Sequence, residues 1–406
     1  MANLFGFNDF DFKGKTVGLR ADLNLPYDAR SKTLSEAPRL RDHVKTIQEL
    51  TKRGAKVVVM AHQGRKGDED FITLEKHAKI LEKFLGQPVR FISLDSNFGE
   101  IKNMNPGEVA LLDNVRIFDD ETTKKSIEEH QKSTLTKKLG PLLDYFVLDA
   151  FSVAHRAHAS VVGFCLQIPC IQGPVFSKEH EFLQRFLKEI SFSKNDVFVL
   201  GGAKPDEPIN MLERLYGKGI EKVLTAGVIS MLLLKARGYN LGKSEEFLKE
   251  KGYLEYMDKI SKFTGEKEIY TPIDFAIEKL GKRVEIDIKT LPVQDQILDI
   301  GQKTIEEYRK IILDANVVCM KGPAGVYEKK EFSLGTQKLF EAIADSECIS
   351  LIGGGNSTDA MELLKVPTEF FTYVSLSGGA FVEFLTGVEL PGIKALELSA
   401  GKFRNI

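Results

Sequence analysis

Cysteine is scarce. Four residues, Cys165, Cys170, Cys319 and Cys348, are scattered through 406 positions without a CxxC pair. That spacing builds neither a disulfide framework nor a cysteine-rich metal site, and it reads as a reduced, cytoplasmic interior. An excess of one charge is also missing: 56 Lys+Arg stand against 58 Asp+Glu, a formal net charge of −2. Without a global positive field, a nucleic-acid partner is a poor expectation, and an anionic small substrate would need cations gathered locally. Long apolar runs are absent. A membrane span takes about 20 mostly apolar residues. The nearest candidate, 160–176, carries two prolines, two glycines and two glutamines, so it reads as a buried connector. The N-terminal MANLFGFNDFDFKGK mixes acidic with apolar residues and does not read as a signal peptide. There is no G-x-x-x-x-G-K-[ST], no strand-linked G-x-G-x-x-G, and no Ser-His-Asp or Cys-His set.

What the chain does have is a core-forming composition, 43% hydrophobic and 28% charged, and a rhythm. Short β-branched or apolar runs end in Gly/polar loops and alternate with amphipathic stretches. The runs are 15–20, 55–61, 109–113, 144–149, 196–200, 222–226, 316–320, 348–352 and 370–375, and the helix candidates are 39–53, 73–85, 177–190, 209–217, 302–314, 335–344 and 379–386. Strands alternating with helices predict an α/β chain with parallel sheets covered on both faces. Ligands of such sheets bind outside the carboxyl ends of the strands, where these loops fall.

The loops differ between the two halves. The first offers Asp22, Asn24, Arg39, His62, Arg65, Arg116, Arg156 and His158; the second offers Gly201, Gly202, Ala203, Lys204, Gly227, Gly322, Pro323, Gly353, Gly354, Gly355, Gly378 and Gly379. An arginine/histidine basket and a set of tight glycine loops suggest two domains with two ligands. The boundary falls near 173–190, with 177–190 as a linking helix and Ser177 as its N-cap.

Arginine suits carboxylate and phosphate oxygens. Any single one reads equally as a surface charge or structural ion pair. Four of them, Arg39, Arg65, Arg116 and Arg156, on or near strand-end loops point to a site. His62 is either an anion donor or a histidine that bonds to backbone and orders its loop. His155 and His158 have a metal-ligand spacing with nothing nearby to complete a zinc-like set. Asp22 and Asn24 alternate as on one face of an extended segment, able to orient a substrate hydroxyl and carboxylate; a turn signal ahead of Pro26 is the plain alternative. In LGGAK and GGGNST, glycines let backbone approach a ligand and a helix start aims amides at phosphate, with Lys204 as a point charge and Asn356, Ser357 or Thr358 as cap or contact. Tight strand–helix turns use such glycines too. Glu328 is a ribose acceptor or a solvated carboxylate beside Lys329 and Lys330.

At this point the residues closely resemble the phosphoglycerate kinase family. LRADLNLP, AHQGRKGD, LLDNVRIF, DAFSVAHRAHAS, LGGAK, TPIDFAI, KGPAGVYE, GGGNST and SGGAFVEFLTGVELPG match nine family blocks in family order over essentially the whole chain, with HQGR and TPIDFAI similar to the archaeal branch. The resemblance implies two Rossmann-like three-layer α/β/α domains with parallel sheets, joined by a helical hinge. One, 1–175 with a returning tail of about 388–406, would bind phosphoglycerate; the other, 176–387 with the linking helix, would bind nucleotide. It implies reversible phosphoryl transfer between 1,3-bisphosphoglycerate and ADP, giving 3-phosphoglycerate and ATP, a step of glycolysis and gluconeogenesis, with Mg²⁺ as cofactor of ADP/ATP. Carried over, Asp22, Leu23, Asn24, Arg39, His62, Gln63, Gly64, Arg65, Arg116 and Arg156 would hold phosphoglycerate. Gly202, Ala203, Lys204, Gly227, Pro323, Glu328, Gly353, Gly354, Gly355, Asn356 and Ser357 would hold nucleotide, with Arg39 and Lys204 catalytic. The implied assembly is a monomer or small homo-oligomer.

The departures lie on the nucleotide side. Asn356 stands where Asp often contacts the metal nucleotide, Pro208 where a second lysine often stands, Lys321 where Asn often precedes GP, and SLSGGA has one glycine fewer. They leave two rivals open: a related small-carboxylate kinase with altered nucleotide or donor use, and a catalytically inactive nucleotide-binding regulator.

Overall fold

The computed structural model describes residues 4–36, 38–189, 193–216 and 222–404. The expected helix ends at 190 and 217 and the last two residues of the tail lie outside them. The chain forms two compact units, Met1–Leu187 with Gly387–Ile406, and Lys188–Thr386.

In the first unit the runs become β1 (Thr16–Arg20), β2 (Lys56–Met60), β3 (Val89–Ile92), β4 (Val109–Leu112), β5 (Tyr145–Leu148) and β6 (Cys170–Gln172). They pair in the order β3-β4-β2-β1-β5-β6, all parallel. The central strands are buried on both faces, as parallel sheets under helices are. Val17, Leu19, Val57 and Val59 pack with Leu40, Val44 and Ile47 of α1 (Pro38–Lys52) and with Leu81 of α2 (Glu75–Leu85). Val58, Met60 and Leu148 are buried on the opposite face. Of these strands, β3 and β6 were not anticipated; β6 lies within the stretch read as a connector.

The linking helix α3 runs Pro174–Glu189, three residues longer at its start than expected. Asp149 Oδ1 accepts the Val175 amide at 2.9 Å, and Pro174 suits a helix start, so Ser177 is not the cap; its hydroxyl donates to Glu181 instead. Phe176 packs edge-on against Phe151 at 5.1 Å. Most of α3 therefore lies with the first unit, whereas the expected division at 175/176 put it with the second.

In the second unit come β7 (Val197–Leu200), β8 (Lys222–Thr225), β9 (Ile269–Tyr270), β10 (Asp274–Lys279), β11 (Lys282–Asp287), β12 (Ile297–Ile300), β13 (Val317–Lys321), β14 (Ile349–Gly353) and β15 (Tyr373–Ser375). Six of them form a parallel sheet in the order β9-β8-β7-β13-β14-β15. Counted among themselves, that is 3-2-1-4-5-6, the Rossmann-like order. Its helices include α4 (Asp206–Leu215), α5 (Gly227–Ala236), α6 (Gln302–Leu313), α7 (Leu334–Asp345), α8 (Gly355–Leu363) and α9 (Gly379–Leu385), beside shorter ones at Lys243–Glu250 and Met257–Ile260. Tyr308 and Ile312 of α6 and Leu339 and Phe340 of α7 seal the sheet against Val318, Met320 and Ile352. A separate antiparallel sheet, β11-β10-β12, was not anticipated. Among the described residues no helix is long and apolar enough to cross a membrane.

The last helix, α10 (Pro391–Phe403), returns to the first unit. Ser399 Oγ accepts the Cys170 amide at 2.7 Å, closing an otherwise unpaired donor on the edge strand β6. Ser399→Ala strands that buried N–H, and we expect the first unit to lose about 1–3 kcal/mol, read as a lower denaturant midpoint.

Candidate functional site

A parallel sheet gathers the carboxyl ends of its strands on one edge, and the crevice opens where the strand order reverses. In the first unit β1 sits at that reversal. Its last residue, Arg20, accepts at its carbonyl the amides of Asp149 and Ala150 after β5 (3.0 and 3.1 Å), and Ala21 donates to Met60 O at the end of β2. The following loops are stitched together. The Gln63 carboxamide brackets Leu25, accepting its N–H at 2.8 Å and donating to its C=O at 3.0 Å. Asn24 Oδ1 accepts the Gly64 amide at 2.9 Å, and Asn114 Nδ2 donates to Gln63 O at 2.7 Å.

On this frame the expected basket assembles. Arg39, at the first turn of α1, reaches Asp22 Oδ2 at 3.3 Å, and Ser152 Oγ donates to the same oxygen at 2.7 Å. Burial alone would raise the Asp22 pKa, but Arg39 and the Ser152 hydroxyl hold its carboxyl well below the usual carboxylate range. Arg116 is 7% exposed. It donates through Nη1 to Gly64 O, and its Nε is enclosed with no hydrogen-bond partner. Burial, then Arg156, Arg20 and Arg65, push its guanidinium down to about 9. His62 is buried and pushed well below its ordinary value, first by burial, then by Arg116 and Arg20. It bonds to Arg20, not to the backbone as the alternative reading had it. Asp22, Arg39, His62, Arg65, Arg116 and Arg156 thus share one electrostatic environment in which cations predominate.

Other expected residues serve the frame. The Leu23 side chain lies in the core, Gln63 spends its side chain on Leu25, and the Gly64 amide is taken by Asn24. Asn24 keeps its Nδ2 without a partner among the described residues, and Asp22 Oδ1 accepts the Asn24 amide at 3.1 Å, as the turn reading expects. His158 lies 3.9 Å from Glu121 and is pushed far down by burial and Arg156; no group of three metal-capable side chains occurs among the described residues. Sequence reasoning missed Arg20, Glu121 and Ser160, all buried behind the basket. An arginine closing an apolar strand was the available signal for the first.

In the second unit the reversal lies between β7 and β13. Gly201 N donates to Lys321 O and Gly202 N to Pro323 O, both at 2.8 Å; Gly227 N donates to Ala324 O at 3.1 Å. Ser357 Oγ accepts the Gly322 amide and donates to Gly353 O, both at 2.9 Å. These loops clasp one another, so the amides of 201, 202, 227 and 322 are not spare donors, and Ser357 is a staple, not a cap. The start of α8 is what remains open. Gly354 precedes it with no side-chain cap, whereas the first two amides of α5 are spent, Gly227 N on Ala324 O at 3.1 Å and Val228 N on Gly202 O at 3.0 Å. A cavity of about 410 Å³ opens beside these two helices. Gly202, Ala203, Gly227, Pro323, Glu328 and Asn356 line it with Val228, Phe247 and Tyr327. Lys204, Gly353, Gly354, Gly355 and Ser357 are not in that lining. Lys204 is exposed and has no ion pair among the described residues, while Lys321 is nearly buried and pairs with Glu207 at 2.6 Å.

Known proteins match this chain over its whole length. The family model described as phosphoglycerate kinase matches residues 7–388. The phosphoglycerate kinase of Pyrococcus horikoshii is 40% identical over 418 residues, covering 99% of this chain and all of that protein. A crystal structure of phosphoglycerate kinase from the same organism superposes with a TM-score of 0.87 at 39% identity, covering 98% of this chain and 100% of that one. The Coxiella burnetii phosphoglycerate kinase structure gives 0.67 at 32% identity, covering 97% and 99%.

The clasp makes a quantitative expectation. Gly322 has φ +80°, and a Cβ there would lie 2.5 Å from Gly201 O; Gly67 has φ +95° with nothing within 4 Å. Gly67→Ala should cost about 1–2 kcal/mol, the left-handed penalty alone. Gly322→Ala should cost about 2–5 kcal/mol, because backbone overlap is added. Equal losses in denaturant unfolding would refute the clasp.

Proposed function

The chain belongs to the phosphoglycerate kinase family, and from that premise we propose that its arginine basket holds the 3-phosphoglycerate/1,3-bisphosphoglycerate partner while the second unit's cavity holds ADP or ATP. Membership makes the chain a phosphotransferase. The observation that carries the assignment of sites is the pairing of a positively charged sheet edge, with Arg116 Nε enclosed and unmet, in one unit, and an apolar cavity beside the open start of α8 in the other.

The reaction asks little covalent chemistry of the protein. In the ATP-consuming direction a carboxylate oxygen of 3-phosphoglycerate attacks the γ-phosphorus, the bond to the β–γ bridging oxygen breaks, and ADP leaves. Catalysis is then positioning plus neutralisation of charge on the transferring group. Arg39 is the cation of the basket assigned to that group, and Lys204 with the open amides of α8 is assigned to the nucleotide phosphates. In-line transfer needs acceptor and donor aligned with water excluded. A cytoplasmic enzyme is the natural setting.

Mg²⁺ keeps several waters and binds through substrate phosphates more than through protein cages. The absence of a three-ligand cluster among the described residues, and the exposed carboxamide of Asn356 at the start of α8, fit an ion that arrives with the nucleotide. When bound it neutralises charge on the β- and γ-oxygens. The Lys321–Glu207 pair at 2.6 Å and Asn356 favour a second, narrower reading, in which acceptor chemistry is kept and nucleotide affinity, metal use or donor choice is altered. Ordinary MgADP and MgATP titrations with ordinary turnover would remove it.

Arg39→Ala should lower kcat by about 10²–10³-fold and raise the KM for 3-phosphoglycerate far less. The measurement is steady-state kinetics in a coupled assay of 3-phosphoglycerate-dependent ATP consumption. A change in KM alone would remove Arg39 from the transferring group, and no turnover by the unaltered protein would remove the whole reading.

A further inference from the structure

Arg20 is a buried cation for which the sequence pattern supplied no role. It closes β1 and is 1% exposed. Its guanidinium has three partners: Nε donates to Ser160 Oγ at 2.9 Å, Nη1 to Ala21 O at 2.6 Å, and Nη2 meets His62 Nδ1 at 3.1 Å. Behind it, Ser160 Oγ donates to Glu121 Oε1 at 2.6 Å and Ser160 N to Glu121 Oε2 at 2.9 Å.

The donor direction along this chain is fixed by chemistry. A guanidinium has five N–H donors and no acceptor. Its contact with His62 Nδ1 therefore requires a bare lone pair there, and a neutral ring then carries its proton on Nε2. A second proton on Nδ1 would point at a cation. No described residue takes the Nε2–H, so the donor remains available within the basket.

We propose that Arg20 is a positioning residue that holds His62 as a neutral Nε2–H donor, so that the ring hydrogen-bonds an oxygen of the bound acid phosphate without adding another positive charge to the basket. The identity of that anion rests on the phosphoglycerate reading above. The groups acting on His62 are Arg116, Arg20 and Arg156 against Asp22 alone, so protonating it would add a cation among three others. The groups acting on Arg20 are Glu121 and Asp22, which support its charge, and Arg156, which opposes it. Burial pushes the Glu121 carboxyl up to about 7. Arg20 keeps its backbone anchor at Ala21 O whether or not Glu121 takes a proton, so the arrangement holds across that titration.

The test is ¹⁵N NMR of the full-length protein with labelled histidine, the His62 signals being identified by their loss in His62→Gln. From about pH 5.5 to 8.5, a range that brackets the ordinary histidine titration, His62 should show a bare Nδ1 and a protonated Nε2 throughout. A protonated Nδ1, or titration near 6.5, overturns the inference and leaves the kinase reading standing. Arg20→Met in a Glu121→Gln background removes the donor and its countercharge together. We expect tautomer exchange, a titrating ring, and a KM for 3-phosphoglycerate raised about tenfold and newly pH-dependent, the loss of one hydrogen bond to a charged group, with kcat little changed. An unchanged tautomer and KM in that variant also overturn the proposal. Should it fail to fold, the unaltered protein's spectrum decides, together with the comparison of His62→Gln, which keeps a donor near the Nε2 position, and His62→Asn, which does not. His62→Asn should raise KM by about tenfold more, and equal effects count against the proposal. A held tautomer in a protein with no phosphoglycerate turnover overturns the substrate named here.

Discussion

Crowding of like charge at one sheet edge is the constraint on which the first unit depends. Arg20, Arg65, Arg116 and Arg156 each lower the tendency of a neighbour to stay protonated, and burial adds to the effect. Two enclosed carboxylates answer them, and they answer differently. Asp22 stays ionised despite burial because Arg39 bears on it and Ser152 donates to it. Glu121 is pushed up to about 7 because burial outweighs the Ser160 bonds and Arg20. The edge is left short of negative charge at neutral pH, which is the electrostatic condition for binding a multiply charged anion. The strands behind it are aliphatic and buried on both faces, and they carry the stability that such a site gives up.

The second unit meets the same demand with almost no buried cation. Its glycines place backbone against backbone at the strand reversal, and the resulting N–H···O bonds are internal. What they leave exposed is indirect: with Gly322 and Gly353 tied through Ser357, the start of α8 is held at the cavity with its first amides unmet by any side-chain cap. Glycine is required at 202 and 322 because the backbone there has positive φ and passes within contact of its neighbour. The glycines are thus a scaffold for a helix terminus more than a cradle in themselves.

Much of this was legible. Alternation of short apolar runs with amphipathic stretches placed eight of the parallel strands within one residue and began the ninth, β15, three residues early, and the strand-end rule put the arginines on one edge. The failures have physical causes. Strands β3, β6 and β9, none of them anticipated, are edge strands of two to four residues, too short or too mixed in polarity to give a signal. The β10–β11 hairpin turns on Leu280 and Gly281, both at positive φ, and leucine there gives no turn signal. Ser177 was misread because its helix is capped from a distance by Asp149, which no local pattern contains. Gln63 and Ser357 were assigned to ligands because polar residues in such loops look alike whether they face outward or clip two loops together. Arg20 was overlooked because a charged residue ending a strand is ordinarily the first exposed one, and here it is among the most buried.

On the assignment proposed above, the contrast between the two sites follows from what each ligand offers. A three-carbon acid phosphate has little apolar surface to bury, so its affinity must come from charge and directed hydrogen bonds, and these need rigid side chains aimed inward. That explains why the basket spends Gln63, Asn24, Asn114 and Arg20 on orientation rather than on contact. On that assignment a nucleotide brings a large flat base and a sugar, whose burial in the cavity walled by Val228, Phe247 and Tyr327 would supply affinity that is insensitive to side-chain charge. Its phosphates would then need only a weak, well-placed field, which the uncapped start of α8 can provide without the cost of burying lysines or arginines. On this argument substitutions such as Asn356 and Pro208 are tolerable on the nucleotide side, where binding is spread over apolar area and backbone dipoles. The loss of a single guanidinium on the other side is not.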